Sequence, residues 1–294
     1  NFAKILGHTI SRVTKRAVSM LGLFKEPHKM RRLLTLFIAF MVATVASAEE
    51  RTPQVIAHRG FHKAEGAAKN SLNALKAAIN AEFWGSECDL QLTKDGEVLV
   101  VHGPYHPGTK NAKPRVNVQR STKAKVQAIL LESGEVVPTF EEYCQQMTKS
   151  KNTKLIIEIK DQLTPQLETE IVQKTVDLVA KYNLQEEVEY IAFRPFVCWE
   201  IARLAPKGTK IAYLNGDYSP QYCKGMGCKG IDYRYTVLKK KKNWIKQAHK
   251  LGMYVNVWTV NKDEDIRWCI QNGVDYITTD DPVLVQNIIN EMCK

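Results

Sequence analysis

Short runs of β-forming residues alternate with longer amphipathic stretches along most of this chain. Eight such runs occur, at 55–60, 86–92, 155–160, 188–193, 210–215, 230–235, 254–260 and 276–280. Between most of them apolar residues recur at helical spacing, as Leu72, Leu75 and Ile79 do within 71–81. Strands that alternate with helices in this way predict an α/β fold with a closed parallel sheet, the TIM (β/α)8 barrel. A doubly wound open sheet is the alternative, but no glycine-rich nucleotide loop follows the first run.

One extra piece interrupts the alternation after the second run. The residues Thr93-Lys94-Asp95-Gly96 are a turn signal, and they predict that the chain returns through Val98–Val101 as a hairpin partner of the second strand. The following stretch, 103–137, is polar and rich in Pro, Lys and Asn, so we expect an inserted loop excursion on one face of the barrel. The sequence thus predicts a single barrel domain over 49–294 that carries this insertion.

A different pattern precedes the barrel, at 30–48. A basic start at Met30-Arg31-Arg32 leads into an apolar run over 33–46, and Ala46-Ser47-Ala48 has the small residues of a cleavage site. These features are typical of a secretory signal peptide and predict an exported protein, periplasmic or secreted. A retained anchor is the alternative, although the run is short for a membrane span. We expect residues 1–29 to be an upstream extension outside the fold, and a native N-terminal extension is the alternative.

The charge of the chain gives no reason to expect a nucleic-acid partner. The net charge is +11, but residues 1–48 contribute +7 of it, so the predicted mature part carries about +4. The densest basic run, at 239–242, is interpreted as a solvated turn before a helix. Among the seven cysteines, Cys223 and Cys228 are spaced to close a small loop, but the sequence does not assign a disulfide and shows no zinc pattern.

Two acids stand at alternate positions in the second run. Alternate residues of a strand share a face, so Glu87 and Asp89 point the same way while Cys88 and Leu90 point the other way. Two unpaired acids inside a barrel would be costly, and a divalent cation held by carboxylate oxygens would offset that cost. Pairing with neighbouring Lys or Arg side chains is the alternative.

Similar chemistry recurs at the ends of other runs. Glu158 and Lys160 lie in LIIEIK, His58-Arg59 ends the first run, and His102 ends the hairpin return. The carboxyl ends of parallel barrel strands meet at one mouth, so we expect these side chains to converge. Three carboxylates suit Ca²⁺ or Mg²⁺ rather than zinc, the two basic groups suit a phosphate anion, and two histidines suit an acid and a base near neutral pH.

Five motifs together give a specific resemblance. They are AHRG at 57–60, ECDLQLTKDG at 87–96, VVH at 100–102, EIK at 158–160 and WTVN at 258–261. In their order and spacing the chain resembles the glycerophosphodiester phosphodiesterase family over essentially all of the predicted mature part. The resemblance implies a TIM barrel in which a divalent cation is ligated by Glu87, Asp89 and Glu158. It implies that His58 and His102 form the general acid/base pair, that Arg59 and Lys160 hold the phosphate, and that Trp258 lines the glycerol side.

The reaction implied by this resemblance is metal-dependent hydrolysis of small glycerophosphodiesters to glycerol 3-phosphate and an alcohol, through a cyclic phosphate. From the charge of the chain and the short apolar run at 33–46, we expect neither a nucleic-acid partner nor a stable membrane anchor. Two alternatives stay open: a related cleavage of lysophospholipids, and a barrel that binds phosphate ligands without turnover. The polar composition of 103–137 argues against a membrane-facing rim and therefore against the first alternative.

Two positions depart from the family pattern. Lys69 stands where the family often has Glu, and Gly103 stands where it often has Asp after the second histidine. Arg194 is a candidate for an additional phosphate contact, with a surface position as the alternative. We expect three further histidines to lie at the surface, namely His62, His106 and His249. Four tryptophans are expected to serve packing rather than binding: Trp84, Trp199, Trp244 and Trp268.

Overall fold

The computed structural model describes residues 52–107 and 113–293, and the predicted signal peptide and upstream extension lie outside these residues. The strands are β1 Gln54–Ala57, β2 Gly85–Leu92, β3 Val98–Val100, β4 Tyr105–His106, β5 Val116–Asn117, β6 Lys154–Ile159, β7 Val188–Ala192, β8 Ile211–Tyr213, β9 Gly230–Arg234, β10 Tyr254–Trp258 and β11 Tyr276–Thr279. Eight of them are parallel neighbours in the order β1-β11-β10-β9-β8-β7-β6-β2, and β1 also pairs with β2. The sheet is therefore closed, which confirms the predicted barrel.

Helices connect the barrel strands and cover the sheet. They are α1 Leu72–Asn80, α2 Lys123–Gln127, α3 Phe140–Met147, α4 Pro165–Lys181, α5 Pro195–Leu204, α6 Pro220–Gly225, α7 Tyr235–Lys240, α8 Asn243–Lys250, α9 Asp263–Gln271 and α10 Pro282–Met292. Local sequence sets several of their starts. Ser71 caps α1 by accepting from the Ala74 N–H, and Thr139 with Glu142 forms a capping box at α3. Among the described residues, no helix is both long and apolar enough to cross a membrane.

Alternation along each strand divides its side chains between two layers. In β2 every residue is buried, but Cys88 and Leu90 belong to the large core that packs under the helices. A smaller apolar cluster that includes Ile56, Ile156 and Ile191 forms separately. The alternate residues of β2, which include Glu87 and Asp89, lie on the opposite face from the large core, so the acids point toward the barrel interior.

The hairpin and insertion after β2 are present but more structured than expected. β3 pairs antiparallel with β2, with Leu90 opposite Val100, as predicted. The insertion contains the β4–β5 hairpin, a 3-10 turn and α2. Its Val118, Val126 and Val137 form a small buried apolar cluster with Leu99 and Val101, which precede the insertion. His106 is buried in this region, and its Nε2 lies 2.8 Å from the Ile129 carbonyl oxygen, so the predicted surface position was wrong.

Three smaller expectations are also corrected. Lys239 and Lys240 complete α7, and Lys239 forms an ion pair with Asp265, whereas Lys241 and Lys242 are exposed in the turn before α8. The predicted turn is therefore confirmed only for the second half of the run. All seven cysteines are free thiols, so the loop that Cys223 and Cys228 were spaced to close is not cross-linked. Trp199 is half exposed rather than packed.

The other tryptophans and the third histidine are placed as follows. Trp84 stacks on Tyr276 with ring centroids 4.3 Å apart, and Trp244 packs against Tyr233, both as expected for packing residues. Trp268 lies under the ammonium group of Lys239. His249 lies partly exposed at the surface, and its Nε2 is 2.8 Å from an Asp275 carboxylate oxygen.

Candidate active site

A tight turn at the end of β1 positions the first two site residues. Arg59 and Gly60 both have left-handed backbone, with φ of 56° and 78°, and a Cβ at Gly60 would lie 2.7 Å from the Ala74 Cβ. A side chain at position 60 is therefore excluded, while Arg59 tolerates a conformation that is uncommon for a non-glycine residue. Its N–H donates to Glu87 Oε2 at 2.8 Å, which compensates for the strained turn and joins it to β2.

Three carboxylates converge beside this turn, as predicted. Glu87 and Asp89 lie on β2 and Glu158 lies on β6, and the parallel register sets Asp89 directly opposite Glu158. All three are buried, and oxygen atoms from the three groups lie within 4.8 Å of one another. Only oxygen donors meet here, which is the donor set that Ca²⁺ and Mg²⁺ prefer.

The hydrogen bonding of the acids is compatible with a bound cation. Glu87 Oε1 is fully buried and has no hydrogen-bond partner within 52–107 and 113–293. Burial, together with the charges of Asp89 and Glu158, raises the pKa of Glu87 well above its ordinary value. A divalent cation would neutralise this repulsion and would give the unpartnered oxygen a ligand. The residues present therefore fit a hard divalent metal.

Basic side chains also contact the acids, so the alternative of ion pairing is realised in part. Lys160 Nζ lies 2.9 Å from Asp89 Oδ1 and 2.5 Å from Glu158 Oε1, and Arg59 Nε lies 3.1 Å from Asp89 Oδ2. Burial pushes the pKa of Asp89 upward, but Lys160 and Arg59 outweigh it and hold that pKa below its ordinary value. For Glu158 burial dominates, and its pKa rises to about 7. Asn70 donates to Asp89 Oδ2 at 2.8 Å and fixes that carboxylate.

His58 is held by an aspartate that lies near the other end of the sequence. Asp280 follows β11, and its Oδ1 lies 2.9 Å from His58 Nδ1 and 3.1 Å from His62 Nε2. His62 was expected at the surface, and this expectation is corrected, because its side chain is only 12% exposed and belongs to the same network. Burial lowers the pKa of His58, against the opposing effect of the hydrogen bond to Asp280.

Lys69 lies beside the same aspartate. Its Nζ is 3.6 Å from Asp280 Oδ1, and Asn261 Nδ2 donates to the other carboxylate oxygen at 2.9 Å. Burial alone would raise the pKa of Asp280, but its hydrogen bonds from His58 and His62 hold that pKa well below its ordinary value. The positive charge at position 69 therefore faces a carboxylate and is electrostatically favourable there.

His102 reaches the same cavity but is held less firmly. It is exposed at the mouth, and within the described chain no protein group forms a hydrogen bond with it. Desolvation by the cavity walls, with Lys160 and Arg59 nearby, lowers the pKa of its imidazole to about 4 despite the attraction of Asp89. A Cβ at Gly103 would lie 3.4 Å from the nearest atom, the Tyr105 carbonyl oxygen. Packing therefore does not demand glycine here, and the departure means that the residue next to His102 in the chain provides no carboxylate.

One cavity of about 350 Å³ joins these groups. It is lined by all the predicted site residues except Asp89, which lies behind Lys160. Trp258 lines it as expected, and its Nε1 donates to the Asp232 carbonyl oxygen at 2.9 Å. Arg194 does not line the cavity and instead pairs with Glu168 at 3.1 Å, so the candidate phosphate contact is corrected to a structural ion pair.

Sequence reasoning missed several lining residues of this cavity, among them Phe193, Asp232 and Arg234. Asp232 and Arg234 alternate in β9 as Glu87 and Asp89 do in β2, and this spacing was the signal available in GIDYRY. Burial raises the pKa of Asp232 to about 8, with Glu158 and Glu189 adding to the effect. The cavity therefore extends beyond the acids and histidines to a second side with an aromatic pair and a further cation.

Comparison with known proteins agrees with this geometry. The model of the Glycerophosphoryl diester phosphodiesterase family matches residues 58–284. A glycerophosphodiester phosphodiesterase of Caldanaerobacter subterraneus subsp. tengcongensis is 28% identical over 243 residues, which are 81% of this chain and 98% of that protein. A solved glycerophosphodiester phosphodiesterase from Parabacteroides distasonis is 36% identical, with a TM-score of 0.78 over 83% of this chain and 99% of that one.

A third solved structure contains a product. It is an Oleispira antarctica phosphodiesterase in complex with sn-glycerol-3-phosphate, and it is 20% identical to this chain. The two share a TM-score of 0.68 over 81% of this chain and 97% of the other. At that identity the comparison shows a common fold.

Proposed function

Because this chain belongs to the glycerophosphoryl diester phosphodiesterase family and is an enzyme of that class, we propose that it hydrolyses glycerophosphodiesters to glycerol 3-phosphate and an alcohol. The observation that carries the proposal is the convergence of three carboxylates, two histidines and two basic groups on one cavity. The product named in the Oleispira antarctica structure is consistent with it.

Glu87, Asp89 and Glu158 would hold the divalent cation, Ca²⁺ or Mg²⁺. When bound, that cation supplies positive charge that stabilises the phosphodiester and the charge developing on it. Arg59 and Lys160 point charge-bearing N–H groups into the same space and would hold the phosphate oxygens. Trp258 offers an apolar wall for the carbon atoms of the glycerol.

The hydrogen bond between His58 and Asp280 supports an assignment of the base role to His58 and the acid role to His102 in the first step. An ionised carboxylate only accepts hydrogen bonds, so neutral His58 keeps its proton on Nδ1 and leaves a lone pair on Nε2. His58 would take the proton of the glycerol hydroxyl next to the phosphate, and that oxygen would attack phosphorus. The bond from phosphorus to the alcohol breaks, and His102 supplies the proton to the departing oxygen. Desolvation, with the charges of Lys160 and Arg59, holds the pKa of His102 low in the protein alone. Bound substrate would favour the protonated imidazole that this step needs, because the phosphodiester anion offsets those two charges.

The second half of the reaction restores both histidines. His102, now neutral, takes a proton from a water molecule whose oxygen attacks the cyclic phosphate. His58 returns its proton to the ring oxygen that leaves, and glycerol 3-phosphate is released. The freedom of His102 from hydrogen bonding suits a group that must serve first an alcohol and then water.

The test is the release of glycerol 3-phosphate from defined glycerophosphodiesters with Ca²⁺ or Mg²⁺ and again after chelation. We expect turnover that chelation abolishes and that Glu158→Gln reduces at least 100-fold. Glu170→Gln is the matched control, because Glu170 lies on α4 and pairs only with Lys174 on the surface. Metal-independent turnover, or none on any glycerophosphodiester, would contradict the proposal.

Cleavage of lysophospholipids is a second candidate, and one observation favours it. The insertion exposes three large apolar side chains, which are Tyr105, Leu130 and Val136. Exposed apolar side chains on the insertion would suit a substrate that sits in a lipid interface. Hydrolysis of lysophosphatidylcholine in vesicles, compared with glycerophosphocholine in solution, separates the two candidates.

We also propose that the protein is exported, with residues 30–48 as its signal peptide. The basic start, apolar run and Ala46-Ser47-Ala48 site support this. Expression of the full chain in a Gram-negative host, followed by fractionation and N-terminal sequencing, tests it. A mature protein that begins at Glu49 outside the cytoplasm is the expected result, and an uncleaved cytoplasmic chain would contradict it.

A further inference from the structure

We propose that Asp232 determines the specificity of the site for the glycerol part of the substrate, by binding the terminal hydroxyl of that glycerol. This hydroxyl is the one that lies farthest from the phosphate and does not attack it. The proposal rests on the proposed function, because it concerns the substrate of the same site. It depends on the position of Asp232, on an unpartnered oxygen of its carboxyl group, and on the contact between Asp232 and Trp258.

The position of Asp232 is in the cavity wall that faces the acids. In the closed sheet, β9 is separated from β2 by three strands on either side, β8, β7 and β6 on one and β10, β11 and β1 on the other. Asp232 therefore lies across the barrel from Glu87 and Asp89. Its neighbours in β9, Ile231 and Tyr233, belong to the large core, so its own side chain points into the barrel, where it lines the cavity.

The carboxyl group of Asp232 has an oxygen that no protein group satisfies. Oδ1 is buried, and within residues 52–107 and 113–293 it has no hydrogen-bond partner. A buried polar atom of this kind needs a partner, and a ligand hydroxyl would provide one. Burial, with the charges of Glu158 and Glu189, raises the pKa of this group to about 8. A protonated carboxyl both donates and accepts hydrogen bonds, as an alcohol hydroxyl does.

Trp258 joins Asp232 to the glycerol side of the cavity. Trp258 lies on the neighbouring strand β10, and its Nε1 donates to the main-chain oxygen of Asp232 at 2.9 Å. The indole is the wall that we assign to the glycerol carbons, so the carboxyl of Asp232 lies beside the bound glycerol. Ile191 and Leu214 also line the cavity, and both belong to the smaller apolar cluster, so they offer the glycerol oxygens no hydrogen bond.

The other polar groups of the cavity leave one glycerol oxygen for Asp232. In the proposed reaction Arg59 and Lys160 hold the phosphate, and the hydroxyl next to the phosphate reaches His58. The terminal hydroxyl has no partner among these groups. Asp232 is suited to it, because a carboxyl group binds a neutral hydroxyl and not an anionic phosphate. We therefore expect lysophospholipids, in which an acyl group occupies this oxygen, to be poor substrates.

Two probes isolate the terminal hydroxyl. They are glycerophosphocholine and the phosphocholine diester of propane-1,2-diol, which keeps the phosphate, the head group and the attacking hydroxyl but lacks the terminal one. The second probe would leave a buried carboxyl oxygen unpaired. Sites that bind a substrate hydroxyl reject analogues without it, and for one hydrogen bond we expect a difference in kcat/KM of about tenfold to 100-fold.

The experiment measures kcat/KM for both probes with the metal-loaded wild type, Asp232→Ala, Asp232→Asn and the control Asp265→Ala. Asp265 is another buried acid, which pairs with Lys239 on α7 and lies outside the cavity. We expect the wild type and the control to prefer glycerophosphocholine at least tenfold. Asp232→Ala should reduce the preference to about twofold or less, by loss of turnover of glycerophosphocholine alone. Asp232→Asn keeps a donor and an acceptor and should retain a preference of about fivefold or more.

The outcomes separate this inference from the proposed function. Cleavage of both probes with equal efficiency by the wild type, or a preference that Asp232→Ala leaves unchanged, overturns the inference and leaves the function intact. Absence of cleavage of either probe with metal present removes the proposed function, and this inference with it. If thermal melting shows that Asp232→Ala does not fold, Asp232→Leu, which keeps the size of the side chain and removes its polar atoms, replaces it with the same expected result.

Discussion

The hydrogen bond from His58 to Asp280 offers a sharp test of the site. Asp280→Asn keeps the size of the side chain but removes its charge, so the amide can only weakly stabilise an imidazolium that forms when His58 takes a proton. A hydrogen bond to a charged group contributes about 1.5–3 kcal/mol. Loss of about 2 kcal/mol from the transition state lowers kcat about 30-fold, since each 1.36 kcal/mol is tenfold in rate. Asp280 does not line the cavity, so KM should change less than threefold.

The assay is steady-state release of glycerol 3-phosphate with saturating metal, which separates kcat from KM. His62→Gln is the informative companion, because His62 shares Asp280 Oδ1 with His58 but does not line the cavity. We expect it to lower kcat less than fivefold. Asp177→Asn is the control, because Asp177 lies exposed on α4, does not line the cavity, and accepts a hydrogen bond from Gln173. If Asp280→Asn kept kcat within threefold of the wild type, or lost affinity instead of rate, the orienting role would be refuted.

Three further predictions follow from the same site. Glu87→Gln should weaken Ca²⁺ or Mg²⁺ binding at least 100-fold by calorimetry. The same substitution should stabilise the metal-free protein by about 1 kcal/mol in urea unfolding, because it removes a buried carboxylate that lies beside two other acids and has an unpartnered oxygen. Unchanged metal affinity would contradict the ligand assignment. Gly103→Asp should raise the pKa of His102 from about 4, read from its imidazole proton resonances, because a carboxylate there favours the charged ring; an unchanged titration would refute this. Because the folded-state pKa of Asp232 is raised to about 8, the stability that this group contributes is full below its unfolded pKa of about 3.9 and is lost as pH rises toward 8. Urea unfolding between pH 5 and pH 8 should show this decline, and Asp232→Asn should flatten it.

Period-two patterns in the sequence were enough to predict the acids of the site. Alternation placed Glu87 and Asp89 on one face, and strand ends in a parallel barrel placed Glu158 and the histidines at the same mouth. The sequence could not predict the register between β2 and β6, which sets Asp89 opposite Glu158. Register depends on how the whole sheet closes, and no single strand encodes that closure.

The misses share a long-range cause. His62 looked isolated because its partner Asp280 is 218 residues away and reaches it only when β1 pairs with β11. His106 looked exposed because the insertion is polar on average, yet the folded insertion buries it and sets its Nε2 2.8 Å from the Ile129 carbonyl oxygen. Arg234 looked like an ordinary strand end because its place in the cavity wall depends on stacking with Trp258, which lies on the neighbouring strand β10. Composition and local periodicity do not report such pairings.

Closure of the barrel through β1 and β11 also has a consequence for biosynthesis. The two groups that would form the base, His58 and Asp280, are 222 positions apart and meet only through the first and last barrel strands. During synthesis, His58 can therefore contact Asp280 only after the ribosome has completed β11. Incomplete chains carry both histidines and all three acids, but they lack the carboxylate that orients the base. The proposed base and its orienting carboxylate are therefore complete only in a chain that extends through β11.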